Sequence, residues 1–466
     1  MTPYSVLSPL RRLVATHTVT SHRVARPLMA GACALAMVLA SGPVEARGLL
    51  ETFELAKVND PVFQAATYEK LAEDSSLRIA WSSLLPTLTG EASYAENRQQ
   101  VQSSDNAVFA VGSTSFPVKT YGASLTQPIF RMTDWAEVSQ ARAGVKQAAA
   151  ELDVAFQDLV FRTADAYLSV LEAMDEFELR QGERETLHRS ADLYQRRLDS
   201  GLGTAPDVYE AEARAALAAA DEAIAQVELE DAIQALAEIT GSIDAAPDTL
   251  GEAFPLADPE PANPEVWVRQ ARTKSPSLES RRQAVEVSDR EIDIQRSAHF
   301  PTVDVRASLN NRDTDGSLFG GGSQVETSEY SINVNVPIFA GGSAIFGTRR
   351  ARDLKKRNEQ QLVQAERQVE RDTRNAFQAV SSVARRVRAL QRTVEVQTEA
   401  VEAREKSVRA GVDSVINVLN AERELFAARR DYARGRYEYV RNVLRLEQAV
   451  GVLGVEDLER VQEWLD

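Results

Sequence analysis

Cysteine is nearly missing from this chain. The single one, Cys33, lies inside an apolar run near the start. No disulfide can form within the chain, and thiolate chemistry has no place beyond that run. Histidine is scarce as well. After residue 46 only His188 and His299 remain, in different elements and without ligand-type neighbours, which argues against a metal centre. No phosphate-binding loop and no nucleophile elbow is present. These gaps leave no residues to run a reaction, so neither an enzyme nor a bound cofactor or metal is expected. Basic residues are outnumbered, 53 to 69, for a net charge of −16, which disfavours a nucleic-acid partner. Beyond residue 46 no apolar run is long enough for a membrane helix. Any membrane crossing must be made by strands.

Residues 1–46 read as a secretory signal. Arg11, Arg12, Arg23 and Arg26 are its basic region, Met29 to Ala40 its apolar run, and Val44-Glu45-Ala46 its small-residue cleavage site. The run is too short for a spanning helix. Cys33 lies inside it rather than after it, so a lipid anchor on a terminal cysteine is not expected. Residues 1–46 hold four arginines and one glutamate, so their removal takes the net charge from −16 to −19.

What is present in abundance is seven-residue periodicity. Leu362, Val369, Ala376, Val383 and Leu390 form one series; Val380, Val387, Val394, Val401 and Val408 form another. Two interleaved series predict a long helix over about 343–409, packed in a coiled-coil seam. At about 1.5 Å per residue such a helix is on the order of 100 Å long. It follows a strand in which Tyr330, Ile332, Val334 and Val336 alternate with Ser331, Asn333 and Asn335. Gly341-Gly342-Ser343 links the two, with Ser343 expected as N-cap.

The same plan occurs earlier. Asn59-Asp60-Pro61 is echoed by Lys274-Ser275-Pro276, Tyr121 to Phe130 by Tyr330 to Phe339, and Gly201 and Gly241 by Gly411 and Gly451. The spacing of these echoes changes only a little along the chain, which predicts an internal duplication. The expected division is 1–46 signal, 47–241 first repeat, 242–263 linker, 264–451 second repeat and 452–466 tail. Pro247, Pro255, Pro259, Pro261 and Pro264 mark the linker. Each repeat reads as a helix (60–85, 276–300), two strands around a polar loop (Gly320-Gly321-Gly322 in the second), a long helix (133–199, 343–409), a glycine turn and a returning helix. The first long helix carries Val145, Leu152, Leu159, Ala166 and Ala173 at sevens; the last returning one carries Val418, Leu425, Tyr432, Tyr439 and Leu446. The returning helix is half its partner's length, so the short first helix can stack end to end on it.

Each strand is long enough to cross a bilayer when tilted, with one apolar and one polar face. Four strands cannot close a barrel, and an open edge in lipid leaves backbone groups without partners. Two or three chains must therefore share one barrel. A structural or adhesive coiled-coil surface protein would share the heptads, but would not need two separated strand pairs.

Together these features resemble the TolC family of outer-membrane channels. The resemblance rests on the duplicated plan, on Leu125-Thr126-Gln127-Pro128-Ile129-Phe130, on the turns Gly201-Leu202-Gly203-Thr204 and Gly411-Val412-Asp413-Ser414, and on Glu238-Ile239-Thr240-Gly241. It implies an α+β membrane protein: a homotrimer with a shared 12-stranded β-barrel in outer-membrane lipid and an α-helical coiled-coil barrel across the periplasm. It implies export of small molecules or proteins, by efflux or type I secretion, with a periplasmic adaptor and an inner-membrane pump or secretion ATPase. The turns would be docking tips for the adaptor: Gly201, Leu202, Gly203, Thr204, Gly411, Val412 and Ser414. The mouth constriction would be formed by Asp207, Glu210, Asp413, Asn417 and Asn420. Asn417 and Asn420 stand where well-known members carry aspartates, and Val408 and Asp413 where those members carry an aromatic and a basic lock residue; Asp207 keeps the family's acid. Trp135, Phe130 and Phe339 lie where strand meets helix, either as a girdle at the headgroup level, which aromatic rings favour, or as packing under the barrel.

Overall fold

The computed structural model describes residues 48–103, 112–242, 251, 255–316 and 321–465. The signal segment with Cys33, Pro247 in the linker and Gly320 in the second polar loop lie outside the described residues. Element order is α1 (Leu49–Asn59), α2 (Pro61–Ser82), β1 (Thr87–Val101), β2 (Gly112–Phe130), α3 (Met132–Asp199), α4 (Ala205–Thr240), α5 (Pro264–Lys274), α6 (Pro276–Ser297), β3 (Thr302–Thr314), β4 (Ser323–Asn335), α7 (Ser343–Arg409), α8 (Val415–Val450) and α9 (Val455–Gln462). The long helices run 68 and 67 residues, as the heptads predict. Ser343 does not cap α7. Gly342 takes the cap position at φ 82°, and Ser343 becomes the first helical residue, its N–H donating to Ala340 O.

The strands form one antiparallel meander, β1-β2-β3-β4. Register sorts the side chains by face. Leu88 lies opposite Leu125, Leu125 opposite Ala307, and Ala307 opposite Tyr330, a continuous apolar row. Thr89, Ser124, Ser308 and Glu329 make a polar row one residue away. Tyr330 and Ile332 are 83% and 72% exposed, so within one chain nothing covers the apolar face. Among the described residues β1 and β4 each have one unpaired edge. At the foot of the sheet, register shifts between Pro128 and Phe130, and the Arg131 guanidinium grips Asp304 with two bonds of 2.8 and 2.9 Å.

The helices pack side by side. α3 carries α4 along one end and α2 and α6 along the other, while α7 carries α8 and α6. The short helices do meet the returning ones end on. Asn59 Nδ2 donates to Thr240 O at 2.8 Å, so α4 stops against the α1–α2 junction. Gly451, which ends α8, sits against Ser275 and Pro276 at the α5–α6 junction. Asp60 and Ser275 are the hinge residues, each ending one helix and opening the next, with proline at the first position of the new helix. Asp60 accepts from Phe63 N–H and from both terminal nitrogens of Arg162 at 3.1 and 2.8 Å. Burial raises its pKa, but the Arg162 and backbone donors outweigh that and hold it below the usual range.

Three helices were not legible in the sequence. α1 and α5 precede α2 and α6, and α9 lies in what reads as a tail; Pro264 begins α5. All three enter the main core. Leu49, Phe53, Ala271, Leu458 and Val461 are fully buried there with Tyr167 of α3, Val387 of α7 and Tyr437 of α8.

Candidate functional site

The two glycine turns end the long helices at the pole opposite the strands, and each is built the same way. After α3, Gly201 adopts φ 71°; its N–H donates to Leu198 O at 2.9 Å, and Leu202 N–H to Arg197 O at 2.8 Å. After α7, Gly411 adopts φ 76°; its N–H donates to Val408 O at 3.1 Å, and Val412 N–H to Ser407 O at 3.0 Å. These are paired Schellman closures, in which a left-handed glycine satisfies the last helical carbonyls. Leu202 and Val412 project from the turns, 74% and 79% exposed. Thr204 and Ser414 open α4 and α8. Gly203 has its own reason to be glycine, since a Cβ would lie 2.9 Å from Leu198 N.

The expected constriction residues are close to the turns but are tied into local pairs. Asp207 accepts from Thr204 Oγ1 at 2.7 Å, and Glu210 pairs with Arg214 at 2.8 Å. Asn417 Nδ2 donates to Asp413 Oδ1 at 2.6 Å, and Arg404 stands 3.6 Å from the same carboxylate. The Asn417 and Ser414 donors hold Asp413 below the usual carboxylate range. Asn420 accepts from Arg214 at 2.9 Å, bridging α8 to α4. Val408, at the end of α7, is buried.

Sequence reasoning missed the residues behind this layer. Leu187, Tyr194, Val208, Ala211, Ala218 and Leu419 form a small core joining α3, α4 and α8. Beside it Glu422 is 7% exposed, with Ser190 donating to it. Burial first, and the Glu405 charge second, push its pKa up to about 7, while Arg214 and Ser190 pull it down. Further up, Arg430 of α8 reaches Glu183 of α3 at 2.7 Å, and Arg180 reaches Asp221 of α4 at 2.9 Å. A buried charged residue at a heptad-flanking position reads as surface in sequence, because periodicity does not tell which neighbour covers it. No group of three or more metal-ligating side chains occurs among the described residues.

A two-faced strand meander carried on long helical hairpins defines an outer-membrane channel protein. The chain belongs to the outer membrane efflux protein family, whose model matches residues 52–242 and 267–452. It is 31% identical over 356 residues to the alkaline protease secretion protein AprF of Pseudomonas aeruginosa, covering 74% of this chain and 72% of that one. It is 26% identical over 336 residues to the outer membrane protein TolC of Vibrio cholerae, covering 72% and 74%. Among solved structures it matches the Campylobacter jejuni CmeC outer membrane channel at a TM-score of 0.74, 16% identity and 90% coverage of both chains, a likeness of fold. Its relatives are channel proteins, and this chain is a channel protein of the outer membrane and not an enzyme.

Proposed function

We propose that the chain is one third of a homotrimeric exit duct for efflux or type I secretion. One observation carries the reading. The meander has an uncovered apolar face and two unpaired edges, an arrangement that lipid does not tolerate in a single chain. Joining β4 of one copy to β1 of the next removes every edge, and three copies give a 12-stranded barrel. Two copies would give eight strands, an interior that side chains fill. The recurring order helix, helix, strand, strand, helix, helix supports an internal duplication. A relative named for protease secretion supports export of proteins as one cargo class. With no phosphate loop of its own, the duct draws energy from an inner-membrane pump or secretion ATPase, linked by a periplasmic adaptor at the Leu202 and Val412 turns.

Mass measurement in mild detergent is expected to give three chains, and the same particles to conduct ions in planar bilayers. A folded monomer that conducts nothing would end this reading.

The ring of Asn417 and Asn420 is proposed as the narrowest part of the periplasmic mouth. Asn420→Asp would face Arg214 and be neutralised, whereas Asn417→Asp would stand against Asp413 and add its charge. Asn417→Asp is therefore expected to raise cation selectivity and block by magnesium more than Asn420→Asp does. Single-channel recording with magnesium titrated on the periplasmic side measures both. Equal values in wild type and both variants would move these asparagines off the constriction.

A further inference from the structure

On a chain of net charge −16, the first turns of α7 stand apart. Arg349, Arg350, Arg352, Lys355, Lys356 and Arg357 occur there against one carboxylate, Asp353. Lys355 is held by Asp289 at 2.8 Å, and Arg357 bonds Asn358. Arg349, Arg350, Arg352 and Lys356 are exposed and have no ion pair or hydrogen bond to another described residue. Ile345, Arg349, Arg352 and Lys356 are spaced four, three and four apart, so they share one helix face. Ile345 is exposed too.

α3 repeats the pattern directly below β2. Trp135, Arg142 and Lys146 share a face and are exposed. α3 is packed by α2 and by α6 within the same chain, so this face is one that helix packing leaves over. The Trp135 ring meets Trp81 edge-on at 6.2 Å, and the Arg142 guanidinium lies 5.2 Å over the Trp81 ring. The opposite face of α3 has a different character. There Glu137, Gln147 and Glu151, with Glu69 and Glu73 of α2, line an open groove of about 540 Å³. At this level α3 thus has one aromatic and cationic side and one acidic side.

We propose that the aromatic–cationic face lies against the membrane and seats the phosphates of anionic phospholipid headgroups where strands give way to helices. The proposal rests on the outer-membrane duct reading. It continues the apolar row of the sheet downward: acyl chains beside Leu125 and Tyr330, indole rings at the headgroup level, and guanidinium and ammonium groups at the phosphates. Arginine suits that place, since its planar fork binds phosphate oxygens in pairs and its stem lies along apolar surface. Trp81, itself met edge-on by Trp135, holds Arg142 in position. Each cation near an anionic surface raises lipid affinity about fivefold, an effect that fades beyond a Debye length of about 8 Å at physiological salt.

Two of the four tryptophans, Trp81 and Trp135, sit on this belt, and the other two are Trp267 and Trp464. In W267F/W464F protein reconstituted into phosphatidylethanolamine vesicles, the belt holds the only tryptophans, and their emission is the reporter. A minor fraction of brominated phosphatidylglycerol is compared with the same fraction of brominated phosphatidylethanolamine. Quenching is expected to favour phosphatidylglycerol by about fivefold or more in apparent affinity. The preference is expected to vanish at 1 M salt, where the Debye length is about 3 Å, and in R142Q/R349Q/R352Q/K356Q at unchanged channel conductance. Should that variant fail to assemble, the salt titration of the parent protein decides alone. Equal quenching by the two headgroups overturns the proposal while leaving the duct intact, and is also what a second copy covering this face would produce. Quenching by neither lipid, with no conductance, overturns the duct reading as well.

Discussion

Gly451→Ala is expected to cost more stability than any other glycine-to-alanine change at a helix end in this chain. Two effects coincide there. At φ 82° a Cβ strains the backbone, worth roughly 1–2 kcal/mol. That Cβ would also lie 2.5 Å from Ser275 Cα and 2.8 Å from Pro276 Cδ, backbone and ring atoms that cannot rotate away. Overpacking adds typically about 1–3 kcal/mol. At Gly241, φ is 71° but the nearest atom is Asn59 Cβ at 3.3 Å, a contact that a small shift relieves. At Gly411, φ is 76° and nothing lies within 4 Å, so only strain remains. Thermal unfolding in one detergent should rank the losses 451, then 241, then 411. Equal losses at all three would mean that the end-on contact of α8 with α5–α6 contributes nothing.

The second large effect concerns Glu422. An isolated glutamate titrates near 4.3, and this one is pushed up to about 7, chiefly by burial. The folded chain therefore holds this proton more tightly than the unfolded chain does. Stability is unaffected by the group below about pH 4, falls as pH rises between the two values, and carries the full penalty above about pH 7. Each pKa unit is worth about 1.4 kcal/mol, which bounds the penalty at on the order of 4 kcal/mol. Glu422→Gln, which mimics the protonated acid, is expected to stabilise the protein at pH 8 by on the order of 2 kcal/mol and to change little at pH 4. Calorimetry at the two pH values checks this. If the gain is the same at both, Glu422 is not paying for its burial.

The long helices, the strand alternation and the tip glycines were legible because each leaves a local trace: sevens, twos and an isolated glycine between long polar runs. The returning helices were legible in the same way, and their end caps at Gly241 and Gly451 fell where the echoes put them. What stayed hidden depends on neighbours far away in the chain. α1 does carry a signal, Leu49, Phe53 and Ala56 at helical spacing, but it directly follows the signal segment and stops at Asn59. α9 offers Leu458 and Val461 at a spacing too short to separate from a turn. The sequence names Asn417 and Asn420 as expected constriction residues and says nothing of what holds them. Asn420 meets Arg214 from 206 residues away, and Asn417 is held by the carboxylate four residues before it. Identity at those positions could be read; their partners could not.

The end-on contacts have a mechanical consequence. In each hairpin the wall is one uninterrupted beam, α3 or α7, beside a butt joint between two shorter rods. Both joints lie within one buried cluster, since Leu236 and Val450, at the ends of α4 and α8, share it with Leu49, Ala271 and Leu458. α1, α5 and α9 wrap that level like a ferrule around a spliced pole. Torque applied at the glycine tips travels up the beams, while the splice lets the rods below it tilt without dragging the rods above. The collar keeps that tilt from opening the splice sideways, so the glycine-tip end can move while the strand end holds its register.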